Sequence, residues 1–178
     1  DTTSPPADGS WVEPDVDVDA TSARPNQYWF DPSTSLTWEN PPSTKGVEGG
    51  LSWSAAKQYC SGLSIGGYSD WRLPSISELR TLFDGCPSAQ PDGSCNVLVG
   101  DCTSWACYDD SGACSGCAES SGPADGCYWQ TGLEGDCAIF WSATGVSDLP
   151  GTAWFVAFMN GFISAIPVDA PYHVRCVR

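Results

Sequence analysis

One continuous stretch decides the fold: Gly66-Gly67-Tyr68-Ser69-Asp70-Trp71-Arg72-Leu73-Pro74-Ser75-Ile76-Ser77-Glu78-Leu79-Arg80-Thr81-Leu82-Phe83. The two glycines supply a turn, since they accept backbone angles of either sign, and Trp71 offers a large ring for burial. Pro74 keeps Leu73 extended, because the proline ring disfavours helical angles in the residue before it. The stretch therefore predicts a turn, a buried anchor and an extended residue in succession.

A helix is predicted directly after Pro74. Ser75 and Glu78 have the spacing of a capping box, in which each side chain bonds the other residue's backbone N–H. The apolar residues that follow recur at helical spacing and share one face: Ile76, Leu79, Leu82 and Phe83. We expect Gly85 to end this helix.

The flanking sequence predicts one more helix and several strands. Tyr28-Trp29-Phe30 and Leu36-Thr37-Trp38 enclose the turn signal Asp31-Pro32-Ser33 and indicate a hairpin. Ser52 is expected to cap a helix over residues 53–61. Late in the chain, apolar runs indicate strands at residues 139–142, 153–159, 162–168 and 173–178. Asn160-Gly161 between two of these runs favours a type I′ hairpin turn.

The charge of the chain excludes several kinds of partner. Its 178 residues carry a formal net charge of -15, and no Lys or Arg lies between Thr81 and Val174, where eleven Asp or Glu occur. Nucleic acid is therefore not an expected partner, since phosphate binding depends on clustered basic side chains. We expect no membrane insertion, because no apolar run approaches the roughly twenty residues of a bilayer span. Cations or neutral glycans suit this surface better.

The cysteines indicate an oxidising compartment. Ten cysteines in a short chain predict five disulfides, with Cys60, Cys86, Cys95, Cys102, Cys107, Cys114, Cys117, Cys127, Cys137 and Cys176 as members. Eight of them fall in a Gly-, Ser- and Asp-rich insert at residues 86–137, where the sequence leaves 105 pairings open. Aliphatic residues are few there, so disulfides are expected to replace a core. Since residue 1 is Asp, we expect a mature secreted or cell-surface protein whose leader has been removed.

Residues 1–25 form an acidic arm in front of a domain at residues 26–178. Its first ten residues are typical of a flexible tether, with Thr2, Thr3 and Ser4 as candidate sites of O-linked sugar. Residues 12–20 alternate strictly between apolar and acidic side chains, which favours a strand with Val12, Val16 and Val18 on one face. A solvated acidic linker remains the alternative interpretation.

Candidate metal and catalytic motifs fail on their chemistry. An EF-hand loop starting at Asp15 would have Ala20 where glycine is needed and Asn26 where glutamate is needed. The spacing of Cys114 and Cys117 could suit zinc or redox chemistry, but structural disulfides are favoured. His173 is the only histidine and falls in a strand pattern. We therefore predict no catalytic, metal or cofactor site, and not an enzyme.

The sequence resembles the Lcl C-terminal-like domain family, bacterial extracellular modules distantly related to formylglycine-generating enzymes. The resemblance rests on residues 36–38, the helix that holds Cys60, residues 66–82, 140–142, 153–156 and 174–178. It implies an α+β, C-type-lectin-like fold with two helices, a small and mostly antiparallel sheet, and the disulfide-rich insert. It also implies a disulfide between Cys60 and Cys176.

Calcium-dependent sugar binding is not expected from this resemblance. Gln90-Pro91-Asp92 resembles the calcium triplet of sugar-binding C-type lectins. However, residues 140–144, on the strand that would complete the site, contain no carboxylate or amide. The triplet is better interpreted as a surface turn.

Two functional hypotheses follow, and both are extracellular. The first is a structural or adhesive module that binds a glycan or protein at a cell surface, with Trp105, Tyr108, Tyr128 and Trp129 as candidate contact rings. The alternative for these rings is that they fill space between disulfides. The second is a filament subunit whose N-terminal strand adds to a sheet of a neighbouring copy, which would make a homopolymer.

Overall fold

The structure, a computed structural model, describes residues 27–42, 50–108, 112–117 and 121–178. It confirms an α+β fold with two helices and small antiparallel sheets. The elements are β1 (Tyr28–Asp31), β2 (Leu36–Glu39), α1 (Trp53–Ser61), α2 (Ile76–Thr81), a short 3-10 turn (Trp105–Cys107), β3 (Ile139–Gly145), β4 (Thr152–Ala157) and β5 (Phe162–Pro167). The predicted strand at residues 12–20, with Val12, Val16 and Val18, lies outside the described residues, as do Thr2, Thr3 and Ser4.

The capping box at the start of α2 is confirmed. The Glu78 backbone N–H donates to the Ser75 hydroxyl at 3.2 Å, and the Ser75 backbone N–H donates to the Glu78 carboxylate at 2.8 Å. The apolar face of the helix is buried as predicted. The predicted end at Gly85 is wrong, because α2 stops at Thr81. The next residues pair with the insert instead, where Gln130 N–H donates to the Leu82 carbonyl at 3.1 Å.

The helix predicted at residues 53–61 is confirmed as α1, but its cap is not. Ser52 occupies the N-cap position without bonding a backbone N–H. The Ser52 hydroxyl instead lies 3.4 Å from the Ser54 hydroxyl, within hydrogen-bond distance of it. Ala56 and Cys60 are fully buried against the sheet side of the domain. Helix position is therefore fixed by packing and by the Cys60 disulfide rather than by a cap.

Two sheets form, and the end of the chain joins them. β1 and β2 pair with Trp29 opposite Trp38, while β4 lies between β3 and β5. The predicted strand at residues 173–178 is instead an extended segment that changes partners. Its first part bonds β3, where Trp141 N–H donates to the His173 carbonyl at 3.1 Å. Its last part bonds β2, where Glu39 N–H donates to the Cys176 carbonyl at 2.9 Å.

The hairpin between β4 and β5 forms, but its turn is not the predicted type I′. Ala157 pairs with Phe162, which leaves a four-residue loop, and of its residues only Gly161 has a positive φ, of 73°. The Gly161 N–H donates to the Ala157 carbonyl at 2.8 Å. The loop is longer because Phe158 is drawn completely into the core. A β-carbon at Gly161 would collide with the sulfurs of Cys86 and Cys117.

All ten cysteines are paired, as predicted. The pairs are Cys60–Cys176, Cys86–Cys117, Cys95–Cys114, Cys102–Cys107 and Cys127–Cys137. The first pair, implied by the family resemblance, spans 116 residues with its α-carbons 5.5 Å apart. The chain-entropy model assigns a loop of this size about 4 to 5 kcal/mol.

The insert is not held by disulfides alone, which corrects the expectation that they replace a core there. Ala89, Val97, Tyr128, Trp129 and Leu133 join the cysteines in one cluster with residues of α2, β3 and β4. The insert therefore lies on the main core and adds apolar area to it. Among the described residues, no helix has the length and apolarity needed to cross a bilayer.

Candidate functional site

The cysteine motif at residues 114–117 is structural. Cys114 bonds Cys95, while Cys117 bonds Cys86, so the two cysteines do not form a redox pair with each other. With every cysteine oxidised, none offers zinc a thiolate. Over the residues that the structure describes, no group of three or more His, Cys, Asp or Glu is placed to hold a metal.

The lectin-like triplet at residues 90–92 lies beside a buried guanidinium. Arg80 is fully buried and donates to the carbonyls of Ala89 at 2.8 Å, Gln90 at 2.5 Å and Val97 at 2.7 Å. The Gln90 side chain donates to the Phe83 carbonyl at 3.1 Å. Burial lowers the pKa of Arg80 to about 10, although the charge of Asp92 partly offsets this effect. A positive charge already organises this loop, which disfavours Ca²⁺ at Gln90 and Asp92; the absence of calcium stays a prediction.

A second buried arginine ties the insert to the hairpin. Arg175 donates to the carbonyls of Glu39 at 2.9 Å and Glu134 at 2.5 Å, and its guanidinium lies over the Trp129 ring. Burial lowers the pKa of Arg175 to about 10, although the negative charges of Glu39 and Glu134 partly offset this effect. Sequence reasoning missed both arginines. The only signal was their position inside apolar runs, at Leu79-Arg80 and Val174-Arg175-Cys176.

His173 is placed by its backbone and ring contacts. Its N–H donates to the Ile139 carbonyl at 3.0 Å, and its ring packs 5.6 Å from the ring of Phe140. This agrees with the prediction of an extended, sheet-bound residue. The absence of catalysis at His173 stays a prediction.

The four candidate contact rings divide into two pairs. Tyr128 and Trp129 are 1% and 3% exposed and belong to the core, so as placed they do not reach a partner. Their burial favours the space-filling interpretation, and Trp129 packs against the rings of Phe140 and Phe158. Trp105 is 41% exposed and Tyr108 is half-buried. The contact hypothesis is thereby reduced to Trp105 and Tyr108.

Trp105 is held in one orientation from several sides. Its ring stacks on Tyr108 with centroids 4.9 Å apart and planes 14° apart, and on buried Trp154 at 6.0 Å and 16°. Its backbone N–H donates to the Asp148 carboxylate at 2.6 Å. The disulfide Cys102–Cys107 closes the short loop that carries it. The ring is thus exposed at the surface yet anchored to the core.

The sheet edges differ in how they are covered. The outer edge of β2 is hydrogen-bonded to residues 176–178, and that of β3 to His173 and Pro74. The outer edge of β5 is covered by the loop at Cys114, whose carbonyl accepts the Ile163 N–H at 3.0 Å. Among the described residues, β1 alone has no strand or loop bonded along its outer edge. Tyr28 and Phe30 lie on this edge.

A family model for the Lcl C-terminal domain matches residues 27–178. The chain belongs to this family. The match runs from the residue before β1 to the end of the chain, so the Lcl C-terminal domain includes both helices, both sheets and the whole insert. No curated protein matches the chain. Membership in the Lcl C-terminal domain family and five disulfides together indicate an extracellular module.

Proposed function

We propose that the protein is a non-enzymatic structural or adhesive module that acts outside the cell and joins a neighbouring copy through the edge of β1. The open outer edge of β1 is the observation that carries the proposal. A row of unpaired backbone groups at a sheet edge is a template for another strand, and natural proteins usually cover it. Here the other three edges are covered and this one is not, among the described residues.

The register shows which backbone groups the edge offers. Thr37 N–H donates to the Arg178 carbonyl at 2.9 Å, away from β1. Its cross-strand partner Phe30 is therefore in a non-hydrogen-bonded pair, and the N–H and C=O of Phe30 point away from β2. Two residues earlier, Tyr28 has the same orientation. These groups can take an added strand without disturbing the β1–β2 pairing.

The sequence of the arm has the composition expected of such an added strand. Residues 12–20 alternate between apolar and acidic side chains, with Val12, Val16 and Val18 on the apolar face. Such a strand pairs through its backbone and buries its valines on one side. A strand donated to a neighbouring copy makes a head-to-tail contact, which continues into a filament if the rotation does not close a ring.

The test replaces one edge donor and keeps the rest of the hairpin. Phe30→Pro removes the outward N–H, and proline is tolerated at an outward-facing edge position; Phe30→Val keeps the N–H and serves as the matched control. We expect the full chain and Phe30→Val to assemble beyond the monomer in light scattering and electron microscopy. Phe30→Pro and a chain that lacks residues 1–24 should remain monomeric with an unchanged melting temperature. A monomeric full chain, or assembly that Phe30→Pro leaves intact, would contradict the proposal.

A further inference from the structure

We propose that the disulfide Cys127–Cys137 is an exchange site for a positively charged thiol, which becomes attached to the protein at Cys137. The site is separate from the β1 edge, and the inference does not depend on strand addition. It rests on three properties of the insert: a cleft that reaches the disulfide, one cysteine that is more exposed than its partner, and carboxylates that line the cleft.

A cleft in the insert reaches this disulfide. The cleft has a volume of about 600 Å³, and Cys127 and Cys137 both line it. The pair Cys60–Cys176 is different, because both of its cysteines are 0% exposed. A thiolate has to contact a sulfur atom directly in order to exchange with a disulfide. The folded protein therefore offers Cys127–Cys137 to a thiol in solution and withholds Cys60–Cys176.

The two cysteines of the bridge are not equally open to attack. Cys137 is half-buried, whereas Cys127 is 4% exposed. An incoming thiolate therefore attacks the sulfur of Cys137. A new S–S bond forms there as the Cys127–Cys137 bond breaks, and the electron pair of the broken bond leaves with the sulfur of Cys127, which then takes up a proton. One thiol is consumed and one is produced, so the exchange needs no oxidant.

The charge around the cleft selects the class of thiol. Asp125, Glu134 and Asp136 are exposed and line the cleft. The guanidinium of Arg175 is fully buried, with its Cζ atom 5.0 Å from the centroid of the Trp129 ring. Three exposed carboxylates against this one buried cation leave the cleft negative, so it repels an anionic thiol and attracts one that carries an ammonium or guanidinium group.

The test compares three small thiols on the full chain: cysteamine, which is cationic, 2-mercaptoethanol, which is neutral, and mercaptoethanesulfonate, which is anionic. The reaction is stopped by alkylation and each cysteine is assigned by peptide mass spectrometry. Rates are expressed per thiolate, because the thiols differ in pKa. One carboxylate about 7 Å from a unit charge in water changes a rate by about threefold. We therefore expect Cys127–Cys137 to react about tenfold or more faster with cysteamine than with the sulfonate, with the adduct on Cys137 and the alkyl group on Cys127.

Charge variants separate this site from general attraction to an acidic protein. The measurement is made at about 0.1 M ionic strength, where charges more than about 10 Å away are largely screened. The combined change Asp125→Asn, Glu134→Gln and Asp136→Asn should lower the cysteamine rate at Cys127–Cys137 by about fivefold or more. Asp101→Asn, which removes an exposed carboxylate outside the cleft, is the matched control and should leave that rate unchanged.

The comparison of thiols on the unmodified protein does not depend on whether the variants fold. Equal rates for cysteamine and the sulfonate at Cys127–Cys137, an adduct confined to Cys127, or reaction at Cys60–Cys176 before Cys127–Cys137 would each overturn the inference. So would a cysteamine rate that the three amide changes leave as it is in Asp101→Asn. None of these outcomes bears on assembly through β1, which Phe30→Pro tests.

Discussion

Arg80 is the side chain whose replacement should most disturb the attachment of the insert. Its guanidinium is fully buried and holds three backbone carbonyls, those of Ala89, Gln90 and Val97, at 2.5 to 2.8 Å. Arg80→Met keeps much of the side-chain volume but removes all three donors. Each buried carbonyl left without a donor costs about 1 to 3 kcal/mol. Since removing the charge also removes its desolvation cost, we expect a net loss of about 3 to 5 kcal/mol in the free energy of unfolding.

The assay is equilibrium denaturation with disulfides intact, combined with hydrogen exchange over residues 89–97. For a domain of this size the loss corresponds to a decrease in melting temperature of roughly 10 to 15 °C. Arg72→Met is the matched control, because Arg72 forms an exposed ion pair with Glu78 at 2.6 Å and its loss should cost less than about 1 kcal/mol. If Arg80→Met is as stable as Arg72→Met, the three carbonyl bonds do not hold the insert as we infer.

Two further predictions concern the disulfide and the cap. The double change Cys60→Ala with Cys176→Ala should lower the free energy of unfolding by about 4 to 5 kcal/mol, measured by denaturant titration; a loss below about 1 kcal/mol would show that the unfolded chain is not constrained by this bond. Burial by itself raises the pKa of Glu78, but hydrogen bonds from Arg72 and Ser75 outweigh it and leave the pKa below its ordinary value of 4.5. Its contribution is therefore present above that value and is lost as pH falls through the lower folded-state pKa. The stability gap between the wild type and Glu78→Gln should shrink from about pH 5 to about pH 3, and a gap independent of pH would contradict this.

Elements specified by neighbouring residues could be predicted from the sequence. The capping box of Ser75 and Glu78 and the hairpin around Asp31 depend on residues a few positions apart, and both form. The end of α2 and the turn at Gly161 could not be predicted in the same way. Both are decided by distant contacts, since Leu82 pairs with Gln130 and Gly161 packs on the sulfurs of a disulfide.

The candidate site shows the same limit. Trp105 and Trp129 have similar sequence surroundings, rich in Cys, Gly, Ser and Asp, yet one is exposed and the other is in the core. The difference arises from long-range packing. Trp129 packs against the tilted ring of Phe158, with ring centroids 5.5 Å apart, whereas Trp105 stacks on the buried Trp154 and stays partly exposed. No local pattern distinguishes the two. The same holds for Arg80, because its three acceptors lie nine to seventeen residues further along the chain.

The disulfide between Cys60 and Cys176 also determines how the domain responds to tension. A pull that arrives through β1 is passed from strand to strand, through β2, to the segment that carries Cys176. There it meets a covalent bond to α1, and residues 61–175 lie inside the closed loop. Only the segment 27–59 can then be drawn out, roughly 110 Å of contour length. A domain pulled at β1 and at its C-terminal end would therefore lengthen by a limited amount, while the residues inside the disulfide loop stay folded.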